Sequence, residues 1–117
     1  TAKRISLTTK RLHRARDTLY WLTEKATQEV CNVLRDQVMV DLNKLSEYPA
    51  EIHFRVLQNA IQFLTQGRDY APRMEKIEDI AEEMIQETSF RKRTFAGLIF
   101  EKKLVDGSFY MQLTKER

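Results

Sequence analysis

Near Thr88 the spacing of the apolar residues changes from a helical period to a strand period. Before Thr88, apolar residues recur every three or four positions, which places them on one face of an α-helix. After it, residues 93–105 and 108–114 alternate in polarity around Asp106 and Gly107. This pattern predicts two strands joined by a type I′ turn, because both turn positions need positive φ. The sequence therefore predicts a mostly α (α+β) fold, a helical domain with a small C-terminal antiparallel β-hairpin or sheet.

The first part of the helical region is predicted to be one long helix over residues 9–34, with Thr8 or Thr9 as its N-cap. Residues 37–40 have an extended pattern, and Asp41 can cap a short helix that follows. We expect residues 1–35 to form the long helix and residues 36–117 to form a helical domain that ends in the β-hairpin. The apolar stripe of the long helix consists of Leu12, Ala15, Leu19, Leu22, Ala26, Val30 and Val33.

Proline and glycine delimit two further helices. Pro49 suits the first position of a helix that runs to about residue 66. Gly67 suits the residue with left-handed backbone that ends this helix. Pro72 is predicted to open the last helix. The residues predicted to face the core are Ile52, Val56, Leu57, Ala60, Phe63 and Leu64 in one helix, and Met74, Ile77, Ile80, Ala81, Met84 and Ile85 in the other.

The residues that usually carry chemistry are few and scattered. The three glycines are not adjacent, so they cannot form a loop that cradles phosphate. His13 and His53 fall on separate helices, and Cys31 lies among apolar residues, which predicts an inert buried thiol and fits a reducing cytoplasm. We therefore predict no catalytic residue, no metal site and no cofactor in this chain. No apolar run approaches the ~20 residues of a membrane span.

The charges are distributed unevenly. Residues 1–16 contain lysine and arginine but no acid, whereas residues 75–87 contain six acidic residues and one lysine, and the net charge is +3. Clustered arginine and lysine can hold phosphate groups, and a helix N-terminus adds a favourable dipole near Arg73. The opposing interpretation, a solvated rim without a partner, stays open on composition alone. The residues predicted to contact phosphate are Arg68, Arg73, Arg91, Lys92 and Arg93, with Lys10, Arg11 and Arg14 as a second set.

Four segments, taken in order, resemble the region that follows the catalytic domain in tRNA(Ile)-lysidine synthases. They are RLHRARDTL (residues 11–19), EIHFRVLQNAIQFL (51–64), YAPRMEKIEDI (70–80) and RKRTFAG (91–97). Together they span residues 11–97 of the chain. The last motif of the family commonly reads Arg-Thr-Leu-Gly-Gly, and this chain departs from it with Phe95 and Ala96 before Gly97.

The resemblance implies a function. Enzymes of this family use ATP, with Mg, to adenylate the wobble cytidine of an isoleucine tRNA, and lysine then displaces AMP. Their chemistry belongs to an N-terminal domain with a Ser-Gly-Gly-x-Asp-Ser loop, which this sequence lacks. The chain, which starts without Met, is accordingly expected to be the linking helix and tRNA-binding domain of a cytoplasmic ligase, inactive alone, with tRNA and the catalytic domain as partners. The alternative is a helical protein-interaction module with no nucleic-acid role.

Overall fold

A computed structural model of the protein describes residues 2–66 and 73–116, with side chains from residue 7 onward. The chain forms an α+β domain, as predicted, but with a larger sheet. Its helices are α1 (Ala2–Val30), α2 (Leu42–Leu45), α3 (Ala50–Leu64) and α4 (Met74–Gln86). Its strands are β1 (Cys31–Leu34), β2 (Gln37–Asp41), β3 (Arg93–Phe95), β4 (Leu98–Val105) and β5 (Ser108–Lys115).

The five strands form one antiparallel sheet in the order β1-β2-β5-β4-β3. The central pairing of β2 with β5 sets Val38 opposite Leu113 and joins residues 37–41 to the C-terminal strand. The predicted extended segment at residues 37–40 is thus confirmed as a strand. The prediction that the long helix continues to residue 34 is wrong, because Cys31–Leu34 pair with β2 through a turn in which Arg35 adopts φ 50°.

Two further two-residue turns shape the C-terminal strands. The predicted turn at Asp106 and Gly107 is confirmed, with φ values of 51° and 81°. A second turn at Ala96 and Gly97, with φ values of 56° and 75°, was missed, so residues 93–105 form two strands rather than one. Left-handed backbone costs a non-glycine residue roughly 1–2 kcal/mol. Ala96 is held there by the antiparallel pairing of Phe95 with Leu98 on either side of the turn.

The hydrophobic core lies between one face of the sheet and the helices. Val38, Val40, Phe100, Met111 and Leu113 line the sheet side, since alternate residues of each strand point inward. On the helical side the predicted buried faces of α3 and α4 are largely confirmed. The buried predicted positions are Ile52, Val56, Leu57, Ala60 and Leu64 in α3, and Ile77, Ile80, Ala81 and Met84 in α4.

Two residues of α3 and α4 that were predicted to face the core lie outside it, and some helix ends differ from the prediction. Phe63 is 44% exposed because Ile61, not Phe63, turns inward near the end of α3, and Met74 is 56% exposed at the first position of α4. Pro49 is the N-cap of α3, one position before the helix, whereas Asp41 caps α2 as predicted by accepting from the Lys44 backbone N–H at 3.1 Å. The predicted roles of Gly67 and Pro72 fall outside the described residues.

Helix α1 begins at Ala2, so the predicted N-cap at Thr8 or Thr9 is wrong. Its C-terminal half packs on α3 and α2, where Ala26 and Val30 are buried. Residues 7–18 are all exposed, including Leu12 at 64% and Ala15. Of the later stripe residues, Ala26 and Val30 are buried and Leu19 and Leu22 are partly buried, but the prediction for Val33 is wrong, since it lies in β1 and is 48% exposed. No described element covers the N-terminal part of the stripe.

Lys102 joins the sheet to the end of α4. Its Nζ donates to the Met84 carbonyl oxygen at 3.1 Å and to the Glu87 carbonyl oxygen, and it lies 4.8 Å from the centre of the Phe109 ring. These carbonyls have no partner within the helix, so Lys102 satisfies groups that a helix terminus leaves free. Burial lowers the pKa of Lys102, partly offset by the charge of Glu87. This contact fixes the segment that leads into the cationic residues 91–93.

Candidate nucleic-acid interface

The three consecutive cations before and within β3 have different environments. Arg91 and Lys92 are exposed, and neither takes part in an ion pair with any residue that the structure describes. Arg93, the first residue of β3, is half-buried. Two of the three predicted phosphate contacts are therefore available to a ligand as they stand.

Arg93 is engaged inside the molecule. Its Nη2 lies 2.8 Å from Oε2 of Glu83 on α4, and its Nε donates to the Arg91 carbonyl oxygen at 3.1 Å. The guanidinium also stacks 4.2 Å from the centre of the Phe90 ring. These contacts tie the start of β3 to α4 and partly neutralise the charge. Arg93 therefore positions its two cationic neighbours, and its own availability to phosphate is reduced.

The second predicted set lies on the uncovered half of α1. Lys10, Arg11 and Arg14 are all exposed, and none belongs to an ion pair within the described part of the chain. Lys10 and Arg14 are four positions apart, so they share one side of the helix and repel each other by roughly 0.2–0.5 kcal/mol. With His13 and Thr9 they line a shallow surface depression. A phosphate bound between the two cations would relieve their repulsion.

The remaining predicted contacts are only partly described. Arg73 is the N-cap residue of α4, with an extended backbone, an exposed side chain and no side-chain capping bond. Arg73 lies at the positive end of the helix, as predicted. The carboxylate of Glu75 in the first turn also interacts favourably with this end of the helix and reduces its attraction for another anion. Arg68 and the loop that contains it lie outside the described residues.

The structure does not gather these cations into one pocket. Arg91 and Lys92 precede β3, an edge strand of the sheet, whereas α1 leads into β1, the strand at the other edge. The main contacts of α1 are with α2, α3 and β1. The candidate interface thus consists of two separate cationic surfaces, which suits a long polyanion better than a small anion.

A groove between α3 and α4 was not expected from the sequence. It has a volume of about 410 Å³, with Phe54, Ala81 and Ile85 as apolar lining and Glu78 and Glu82 as acidic lining from α4. Glu51 also lines it but is paired with Arg55 at 2.9 Å. No role was predicted for the acidic residues of α4. The signal that was overlooked is that Glu78 and Glu82, four apart, bracket Ala81 and precede Ile85 on one side of the helix.

No cluster of three histidine, cysteine, aspartate or glutamate residues within residues 2–66 and 73–116 could hold a metal ion. Cys31 is half-buried, and this burial raises the pKa of its thiol to about 12, which keeps the thiol protonated at neutral pH. Within the same ranges, no helix combines the length and the apolar character that crossing a membrane requires.

Comparisons of the chain with protein-family profiles, with curated proteins and with solved structures found no match. The resemblance to lysidine synthases therefore depends on the four sequence motifs alone. It remains a prediction, to be weighed together with the two cationic surfaces.

Proposed function

We propose that this chain is the tRNA-binding, non-catalytic part of a tRNA(Ile)-lysidine synthase. The parent enzyme is a cytoplasmic ligase that uses ATP and Mg to attach lysine to the wobble cytidine of an isoleucine tRNA. The observation that carries the proposal is the pair of exposed cationic surfaces, Arg91 with Lys92 and Lys10 with Arg11 and Arg14, which have no acidic partner among the described residues. The ordered set of four motifs supports the particular family.

The proposed task of the chain is to hold the tRNA body and not to react with it. Arginine and lysine bind phosphate oxygens through charge-assisted hydrogen bonds, and such contacts fix orientation without reading bases. Arg91 and Lys92 sit next to a strand that Arg93 ties to α4, so their backbone is firmly placed. A tRNA held at this second point raises the effective concentration of its anticodon at the catalytic domain.

The alternative, a protein-interaction module without a nucleic-acid role, is favoured by a different observation. Leu12 is 64% exposed and Ala15 is exposed, although both continue the face of α1 that is buried further along the helix. An uncovered apolar face of this kind is typical of a protein contact. In that case Arg91 and Lys92 are only solvated, and their removal leaves RNA affinity unchanged.

A salt series separates the two candidates. Replacing Arg91 and Lys92 together with Ala should weaken tRNA binding and flatten the plot of log affinity against log salt by about 1.4–1.8 units, since each phosphate contact contributes about 0.7–0.9. The matched control is Lys44→Ala with Lys76→Ala, which removes two exposed cations that lie on α2 and α4 and belong to neither surface. Equal slopes for the test and control pairs would contradict phosphate binding.

The family assignment has its own test. The parent gene should encode a Ser-Gly-Gly-x-Asp-Ser loop about two hundred residues upstream, one domain's length before this chain. A parent sequence without that loop, in a protein that still binds tRNA through Arg91 and Lys92, would retain the RNA-binding role and remove the synthase assignment.

A further inference from the structure

The N-terminal part of the apolar stripe of helix α1 is covered by nothing in the described structure. Residues of an α-helix advance by about 100° each, so Leu12 and Ala15 lie on the same side as the buried Ala26 and Val30. Leu12 is nevertheless 64% exposed, and Ala15 is exposed. We call these two residues the α1 stripe.

Two arginines border this stripe. Arg11 lies four positions before Ala15 and Arg16 four positions after Leu12, so each is adjacent to one stripe residue along the helix surface. Both are exposed and unpaired within the described residues. Lys10 and Arg14 point to the other side of the helix, so the stripe and the depression at Lys10 are different surfaces.

The groove between α3 and α4 has the complementary properties. Its apolar lining comprises Phe54, Ala81 and Ile85, and Glu78 and Glu82 border it from α4. Both glutamates are exposed, and neither forms an ion pair in the part of the chain that the structure describes. The α4 part of the groove, from Glu78 to Gln86, extends about 12 Å, because each helical residue advances about 1.5 Å. This length accommodates two turns of another helix.

We propose that the α1 stripe of one copy of this chain docks in the α3–α4 groove of a second copy. Leu12 and Ala15 contact the apolar lining, while Arg11 and Arg16 approach Glu78 and Glu82. The choice of a second copy follows from charge complementarity, since both surfaces are present on this chain, opposite in sign and without partners. When each copy inserts its α1 into the other, the two contacts are related by a twofold axis and the assembly closes as a dimer.

The dimer is a property separate from tRNA binding. It uses the side of α1 that carries Leu12 and Ala15, whereas the phosphate contacts Lys10 and Arg14 lie on the other side. Lys10 and Arg14 remain accessible in the dimer, and Arg91 and Lys92 lie on another element. Each copy therefore presents its phosphate contacts independently of its partner, apart from Arg11, which both surfaces share. Because the contact combines a small apolar area with exposed ion pairs, association should weaken as salt screens the charges.

Sedimentation equilibrium of the 117-residue chain at low salt, over a range of concentrations, tests the dimer. We expect a reversible monomer–dimer equilibrium that shifts toward monomer as salt rises. Leu12→Gln, a change at an exposed position that should not affect folding, should reduce association. So should Arg11→Glu with Arg16→Glu, and Glu78→Lys with Glu82→Lys. All four reversals in one chain should restore the dimer, because the attractive pairs are re-formed with opposite signs.

Two matched pairs of substitutions serve as controls. Glu75→Lys with Asp79→Lys makes the same change of charge on α4 at exposed residues that do not line the groove. Lys10→Glu with Arg14→Glu makes the matching change on the other side of α1. Both control pairs should dimerise like the parent, and the second should lose tRNA affinity. A chain that stays monomeric at all concentrations, or a fourfold variant that fails to recover, overturns the proposal without affecting the tRNA-binding one.

Discussion

Glu83→Gln should free Arg93 to become a phosphate contact. In the native protein the Arg93 guanidinium lies 2.8 Å from the Glu83 carboxylate, and the two side chains are 32% and 41% exposed. An ion pair at that exposure contributes about 0.2–1 kcal/mol, so its loss should leave the domain folded. The released arginine adds about one phosphate contact. The salt slope of tRNA binding should then steepen by about 0.7–0.9, and affinity at ~0.1 M salt should rise on the order of fivefold.

The converse substitution, Arg93→Ala, should hardly change tRNA binding, because the guanidinium is already engaged by Glu83 and Phe90. It should instead lower the free energy of unfolding by about 0.5–2 kcal/mol, from loss of the ion pair and of the stacking on Phe90. Arg91→Ala should show the opposite profile, with unchanged stability and a flatter salt slope.

Fluorescence anisotropy of labelled tRNA across a salt series, together with urea denaturation of each variant, measures both quantities. Asp79→Asn is the matched control, since it removes the same charge from an exposed position of α4 outside the groove and releases no arginine in the described structure. If Glu83→Gln and Asp79→Asn change the slope equally, the gain is a general effect of net charge. If Arg93→Ala flattens the slope as much as Arg91→Ala, the engaged role of Arg93 is refuted.

Three further predictions concern the scaffold. Leu57→Ala should reduce the free energy of unfolding by about 2–5 kcal/mol, because Leu57 is fully buried, whereas Phe63→Ala should reduce it much less, because Phe63 is 44% exposed. Similar denaturation midpoints for the two variants would contradict the packing of α3. Gly107→Ala should cost about 0.5–1.5 kcal/mol from backbone strain alone, since nothing lies within 4 Å of the added methyl group at φ 81°; an unchanged urea midpoint would argue against a left-handed turn. Because the pKa of Cys31 is raised to about 12, little of its reactive thiolate form is present at pH 8, and the thiol should react with a disulfide reagent on the order of a thousandfold more slowly than in the denatured chain. Equal rates in the folded and denatured chains would show that the thiol is not shielded.

The sequence alone was sufficient to predict the features that depend on the local pattern of residues. The buried faces of α3 and α4 follow from helical spacing, the Asp41 cap from its side-chain oxygen, and the Asp106–Gly107 turn from residues that tolerate positive φ. Each of these is decided by residues within a few positions of one another. Such signals are present in a single sequence without knowledge of the rest of the fold.

Features that depend on distant partners were not predicted. The residue types at positions 31–34 are compatible with the end of a helix and with a strand. They form a strand because they pair with β2, which a local pattern does not reveal. Ala96 gives no local signal for a turn, because its left-handed backbone is imposed by the pairing of β3 with β4. The candidate site shows the same limit. Three adjacent cations look alike in the sequence, and the distinct role of Arg93 appears only when α4 brings Glu83 to it.

The central position of β5 in the sheet has a consequence for biosynthesis. Strands β1 and β2 are made early, but the free edge of β2 acquires its partner only when residues 110–114 have left the ribosome. Until then the nascent chain presents an unpaired strand edge and an open apolar face, the combination that promotes aggregation. Closure of this long-range pairing also carries the loop entropy of most of the chain, which favours slow folding despite the helical content. Truncation before Ser108 should therefore yield an insoluble product and not a smaller folded domain.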